Sequence, residues 1–139
     1  MQRMRDERGA VSVVAALLMV PLVGFAAISV DVAGMYSERQ QLQTGADAGA
    51  LAIAQDCGRG VCGTTGQTAQ TFATSNLPKA SSIATVTLLT TSKVTVQNDS
   101  IKQHSFARVL GVDSSPISVS ATVAWGSPTG GTAMLPLAF

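Results

Sequence analysis

Hydrophobic and polar residues follow three successive patterns along the chain. In the first, residues 9–30 form an uncharged run of 22 residues, GAVSVVAALLMVPLVGFAAISV. A helix of that length spans the roughly 30 Å hydrocarbon core of a bilayer, and membrane helices tolerate residues such as Pro21 and Gly24. The pattern predicts a transmembrane helix over residues 9–30. Two alternatives stay open, a cleaved signal peptide and a buried helix of a soluble protein.

The charges that flank this run predict its orientation. Arg3, Arg5 and Arg8 precede the run, and Asp31 follows it. Arginine is enriched on the cytoplasmic side of membrane helices. We therefore predict a cytoplasmic N-terminus (1–8), one crossing of the cytoplasmic (inner) membrane, and an extracytoplasmic C-terminal domain.

The second pattern, residues 31–56, predicts a helical extension of the membrane helix. It has no proline and is rich in helix-forming residues, with apolar positions at helical spacing. Small residues on one face allow another backbone to approach closely. The sequence leaves open whether this face contacts a partner or the chain's own domain. It also leaves open whether the Asp47 carboxylate is solvated or paired with a donor. The predicted contact residues are Leu42, Gly45, Ala46, Asp47, Gly49, Ala50 and Ile53.

In the third pattern, residues 57–125, short helical segments and segments that alternate apolar and polar residues follow one another, which is typical of a small α+β domain. The fold class is therefore α+β, with a long N-terminal helix (membrane segment plus amphipathic extension) before a small antiparallel-sheet domain, pilin-like in outline. Residues 126–139 read as a flexible turn and an apolar C-terminal tail. The predicted elements are a helix at 65–76, a strand hairpin at 82–90 and 93–98, a helix at 100–110 that Gly111 ends, and a strand at 117–125.

Cys57 and Cys62 enclose a short loop that contains two glycines. An exported domain lies in an oxidising compartment, so the pair favours a disulfide, with free thiols as the alternative. The spacing is not that of a C-x-x-C redox centre, and no adjacent histidine completes a zinc site.

Composition limits the chemistry that the chain can perform. The 139 residues allow one domain, the net charge is +1, and histidine occurs once, as His104. The charge balance argues against a nucleic-acid partner, and no catalytic or phosphate-binding motif occurs. We interpret His104 as a solvated surface residue in mid-helix. The sequence predicts a non-enzymatic protein without a cofactor or a small-molecule substrate.

Several segments together resemble the N-terminal module of the TadE/TadG-like Flp pilus-assembly proteins. The usual family pattern is RGA, a hydrophobic segment, a D-x-G/A-x-x-Y stretch and LQ-x-A-A-D-A-A-A-L-A. The resemblance covers residues 8–54, about a third of the chain, and a weaker similarity includes 106–111 and the strand after it. The matching residues are Arg8 to Val11, Pro21, Asp31 to Tyr36, Arg39, Leu42-Gln43 and Ala46 to Ala52.

This resemblance implies a membrane-anchored, non-catalytic component of Flp (tight-adherence, Tad) pilus assembly that acts through helix–helix packing. Its implied partners are membrane lipid and other pilus-assembly or pilin-like subunits. A minor pilin that enters the filament is one alternative. A membrane-anchored extracytoplasmic domain that binds a ligand or the cell wall is a second, from a different functional class.

The resemblance also implies a possible peptidase-processing site between Gly9 and Ala10. Pilins and pseudopilins of this system carry Glu five residues after the processed Gly, where this chain has Val14. With Val14 at this position, the chain resembles the TadG-like branch more closely, in which the helix remains in the membrane as an anchor. The chain has neither a von Willebrand-type domain nor a D-x-S-x-S signature, which large members of that branch carry.

Overall fold

The computed structural model describes residues 3–78 and 81–126, with side chains from residue 9 onward. The described elements confirm the α+β class, a long N-terminal helix followed by a small antiparallel sheet. Of the predicted turn and apolar C-terminal tail over residues 126–139, residues 127–139 lie outside the described residues. In chain order the elements are α1 (Arg3–Gly58), α2 (Thr65–Asn76), β1 (Ser82–Leu89), β2 (Lys93–Gln103), a 3-10 turn (Ala107–Leu110) and β3 (Ser114–Ala124).

Helix α1 continues without interruption for 56 residues and includes Pro21. Among the described residues, it is the one helix that is long and apolar enough to cross a membrane. Its most apolar window is not buried against any other part of the chain. Such a large number of exposed leucine, valine and phenylalanine side chains is stable only in an apolar environment.

The core of the domain lies between the second half of α1, helix α2 and one face of the sheet. Leu42 and Ile53 of α1 are fully buried, as are Val94 and Val96 of β2. The two helices form one layer and the three strands form the other. The remaining core side chains are Ala46, Ala50, Ala54, Ala69, Leu77, Ile117, Val119 and Ala121.

Two glycines of α1 set the distance between α1 and α2. A Cβ atom at Gly45 would lie 3.2 Å from the Phe72 carbonyl oxygen and 3.3 Å from the Ala73 Cα. A Cβ at Gly49 would lie 3.3 Å from the Ala69 Cα. These are backbone atoms, which cannot move aside as a flexible side chain can, so larger residues at the two positions would push the helices apart.

The sheet has the order β1-β2-β3 and is antiparallel throughout. The predicted hairpin between β1 and β2 is confirmed, since the Thr90 amide donates to the Lys93 carbonyl at 2.8 Å. The predicted strand over residues 117–125 is present as β3, which begins three residues earlier, and its Ile117, Val119 and Ala121 are buried.

The predicted helix over residues 100–110 is wrong. Strand β2 continues to Gln103, and helical structure is restricted to the 3-10 turn Ala107–Leu110. The strand pattern was hidden because the inward side chains of β2 change from apolar to polar after Val96. The predicted stop at Gly111 is confirmed, since it adopts a φ of 82° and follows the turn directly.

Glutamine side chains cover part of each sheet edge. On β1, the Gln70 amide donates to the Ser82 carbonyl at 2.8 Å and accepts from the Ala84 amide at 2.9 Å, as a neighbouring strand would. On β3, Gln43 donates to the Ser120 carbonyl at 3.2 Å. These contacts reduce the number of backbone groups open to pairing with another chain.

The end of α1 is closed by the predicted disulfide, Cys57–Cys62. Close by, a Cβ atom at Gly58 would lie 3.7 Å from Cδ1 of Trp125, so the indole packs over the last turn of α1. The disulfide and this contact join the end of α1 to the loop before α2 and to the end of β3.

Replacing Gly49 by leucine should unfold the domain at lower temperature, because the new side chain must displace the α2 backbone. We expect a loss of about 1–3 kcal/mol or more in the free energy of unfolding. Circular dichroism of the full chain in detergent measures this. Gly66→Leu is the matched control, since no atom lies within 4 Å of a Cβ there. Equal stability of the two variants would contradict the packing described.

Removing the disulfide should weaken the same end of the domain. The double variant Cys57→Ser/Cys62→Ser should lose about 2 kcal/mol of unfolding free energy, because the short loop regains its freedom in the unfolded chain. Denaturant titration in detergent measures the loss, and reduction of the wild type should reproduce it. Intact mass should rise by two hydrogens on reduction, and an unchanged mass would contradict the bridge.

Candidate functional site

A row of polar side chains joins α1 to β2 on the side of the core nearest residues 9–30. Alternate residues of a strand share one face, so after Val94 and Val96 the inward positions of β2 are polar. The strand runs antiparallel to α1: Asn98 contacts the helix at Leu42, and the next two inward residues of β2 both contact it earlier, at Glu38. We call this row the polar seam: Asp31, Glu38, Asn98, Ser100, Lys102 and His104.

Asp31, the first residue after the apolar run, binds the backbone of the β2–β3 loop. One carboxylate oxygen accepts from the Ser105 amide at 2.9 Å, and the other accepts from the Phe106 and Ala107 amides at 2.9 and 2.6 Å. The carboxylate therefore caps the 3-10 turn, in the manner of an N-terminal cap on a helix.

Glu38, two turns further along α1, is buried and holds two residues of β2. Its Oε1 accepts from the Ser100 hydroxyl at 2.7 Å, and its Oε2 lies 3.1 Å from the Lys102 Nζ. The lysine stem lies over Gly34, where a Cβ would be in ordinary van der Waals contact, 3.6 Å from Lys102 Cε. A buried carboxylate needs such partners, because losing one leaves a charge without compensation.

Asn98 marks the boundary between the seam and the apolar core. Its side chain is fully buried, and its Nδ2 donates to the Leu42 carbonyl at 3.1 Å. This contact fixes the register of α1 over β2, because it joins the helix backbone to a single strand position. The Asn98 Oδ1 has no hydrogen-bond partner among the described residues.

His104 occupies a different environment from the one predicted. The interpretation as a solvated residue in mid-helix is wrong: His104 follows the end of β2, is buried, and its Nε2 lies 2.8 Å from the Ser115 hydroxyl. Its Nδ1 has no partner among the described residues. The ring is thus part of the structure at the base of the loop.

The predicted contact face of α1 lies inside the chain's own domain. Leu42, Gly45, Ala46, Gly49, Ala50 and Ile53 are all buried against α2 and the sheet. Of the two uses that the sequence left open, the intramolecular one is what the structure shows, so these six residues are not available to a partner. Asp47 is exposed and accepts from Gln43 Nε2 at 3.0 Å within the same helix.

Gly9 and Ala10, the predicted processing site, lie within α1 and are exposed. No atom lies within 4 Å of a Cβ built on Gly9. No described residue therefore covers this part of the helix.

Sequence reasoning did not identify the seam as a site. The sequence indicated Asp31 only as the charge that follows the apolar run, and it assigned no role to Glu38. A signal was present in the spacing, since residues 31, 38, 42, 46, 50 and 53 follow one helical face. Extending this face to include acidic residues would have placed both carboxylates toward the sheet.

The hydrogen bonds to Asp31 change its ionisation. Burial acts to raise its pKa, but the amides of Ala107, Ser105 and Phe106 and the His104 ring lower it, and the pKa lies below the ordinary 3.8. Because the folded pKa is below the unfolded value, the stabilisation is fully present above pH 3.8. It is lost as the pH falls through the folded pKa.

Asp31→Asn should lower the melting temperature at pH 7 by several degrees, since an amide oxygen cannot replace two carboxylate oxygens that accept three bonds. The difference from the wild type should shrink as the pH falls to about 3. Circular dichroism in detergent across this pH range measures both effects. Asp47→Asn, at an exposed carboxylate on the same helix, is the control, and an equal effect of both variants would contradict the role of Asp31.

Known proteins resemble this chain over part of its length only. No curated protein and no solved structure matches the chain. Residues 9–56 match the Tad family model, described as "Putative Flp pilus-assembly TadE/G-like". The match covers about a third of the chain and ends two residues before α1 does. Helix α1, which contains the exposed apolar run and two residues of the polar seam, Asp31 and Glu38, is therefore the part of the chain that is similar to TadE/G-like Flp pilus-assembly proteins.

Proposed function

We propose that the chain is a non-catalytic component of Flp pilus assembly, anchored in the cytoplasmic membrane by residues 9–30 with its domain outside. One observation carries the proposal: the segment that matches the family model is a single helix with two environments. Its first half is apolar and bare, and its second half is the central element of the folded domain. Such a helix joins a bilayer to a domain without a linker.

The orientation is supported by the charges around the apolar run. The three arginines at positions 3, 5 and 8 favour the cytoplasmic side for the N-terminus. The Cys57–Cys62 disulfide lies beyond the other end of the run. Disulfides persist in oxidising compartments, so it supports an extracytoplasmic domain.

A structural role is supported by the use of the buried polar groups. Asp31, Glu38, Asn98 and Ser100 each bind another part of the same chain at 2.6–3.1 Å. Among the described residues, no group of three or more His, Cys, Asp or Glu side chains could hold a metal ion. The polar residues of the seam therefore serve to join the helix to the sheet.

Contacts with other pilus-assembly subunits would use the opposite face of α1. A stripe of exposed residues at helical spacing faces away from the sheet, and Tyr36 in it is 66% exposed. We propose that this outward stripe packs against a helix of another Flp pilus-assembly component, and that membrane lipid surrounds residues 9–30. The stripe consists of Val32, Tyr36, Gln40, Asp47 and Leu51.

Deletion of the chain from its native host should abolish or strongly reduce surface Flp pili, counted by electron microscopy, and the wild-type chain should restore them. Tyr36→Asp should fail to restore pili and should lose co-purifying subunits while staying in the membrane fraction. Val61→Asp is the matched control, because Val61 is 73% exposed and lies outside the stripe. Normal pili in the deletion strain would contradict the proposed function.

Intact-mass spectrometry, with the matching prepilin peptidase present and absent, tests whether the helix stays as an anchor. The proposal expects the full-length mass in both samples. Peptidase-dependent loss of residues 1–9 would contradict a retained anchor and would favour the minor-pilin alternative.

A further inference from the structure

We propose that residues 105–112 of the β2–β3 loop are a second membrane contact that enters the headgroup region of the bilayer crossed by residues 9–30. We call these residues the apolar loop. The inference rests on the proposed membrane anchor and adds a lipid-binding site that the family match, which ends at residue 56, does not include.

Half of the apolar loop consists of large apolar residues that the rest of the described chain leaves about half or more exposed. Val109 is 89% exposed and Leu110 is 70% exposed, while Phe106 and Val112 are each 47% exposed. An exposed cluster of this kind in a small domain marks an interaction surface. Its apolar side chains lie in one loop rather than being scattered over the domain.

The position of the loop favours lipid as its occupant. The amides of residues 105–107 bind the Asp31 carboxylate directly, at 2.6–2.9 Å. Asp31 immediately follows Val30, the last residue of the apolar run. The loop is therefore held beside the helix at the level where the membrane segment ends, which makes it continuous with the lipid-exposed surface of α1.

The backbone of the loop has few free donors, which lowers the cost of entering an apolar region. Asp31 accepts from three of its amides. The Val109, Gly111 and Val112 amides donate to the carbonyls of residues 106, 108 and 107 at 3.0–3.1 Å. Six amides of the loop are thus satisfied within the chain.

The charges of the loop suit a phospholipid surface. Arg108 lies in the 3-10 turn among the apolar residues, with its guanidinium exposed and 3.4 Å from Gln103 Oε1. An arginine at this depth can reach lipid phosphates while its stem stays in the apolar region. The acidic neighbour Asp31 is turned toward the loop amides, and Asp113 lies just outside the loop.

Tryptophan fluorescence tests the inference, because the chain has a single tryptophan, Trp125, at the opposite end of the domain. In a Trp125→Phe background, Leu110→Trp reports on the loop, Phe25→Trp on the membrane segment and Val61→Trp on the exposed distal end. Each full chain is reconstituted into phosphatidylcholine/phosphatidylglycerol vesicles, with and without brominated acyl chains. If Trp125→Phe lowers the helical circular dichroism signal, each reporter is instead placed in a chain that retains Trp125. Its quenching is then the difference from the chain that carries Trp125 alone.

We expect brominated lipid to quench the position-110 reporter several-fold more than the position-61 reporter, and iodide in the water to quench it less. Equal quenching at positions 110 and 61 would overturn the inference. Protection from iodide without quenching by brominated lipid would also overturn it, because another protein or a second copy would then cover the loop. Loss of quenching at position 25 would instead contradict the membrane anchor itself, so the two failures are distinguishable.

Discussion

The carboxylates of Asp31 and Glu38 bind the far end of the sheet to the helix that leaves the apolar run. Asp31 binds the loop that follows β2, Glu38 binds the end of β2 by a hydrogen bond and an ion pair, and close apolar packing follows from Leu42 onward. Without these contacts, residues 31–41 would be a free helix between an anchor and a core that begins at Leu42. Isolated helices of that length are marginal in water.

The core depends on the same helix in a different way. Gly45 and Gly49 bring α2 against α1, which leaves the sheet covered by two helices whose contact residues are mostly alanine. A domain with so few large core side chains gains limited stability from apolar burial. The seam, the disulfide and the Trp125 contact therefore contribute a substantial part of what holds the domain on the helix.

The local hydrophobic pattern predicted most of the fold. The apolar run, α2 and the alternating residues of β3 each have the pattern of a single type of secondary structure. The pattern failed at residues 100–103, where the inward positions of β2 hold Ser100 and Lys102, whose partner, Glu38, is far away in the chain. The site was missed for the same reason. The small-residue face was recognised, but only the tertiary structure shows that its neighbour is the chain's own α2.

Because α1 is continuous and Asp31 and Glu38 bind residues packed beside it, we expect the apolar segment and the domain to form one rigid unit with no hinge at their junction. Hydrogen exchange of the full chain in bicelles tests it residue by residue, because a hinge exposes amides that a packed helix protects. We predict that residues 31–41 are protected as strongly as residues 42–54, and that the amides of residues 105–107 are protected as well. Rapid exchange at residues 31–41 beside a protected core would contradict it.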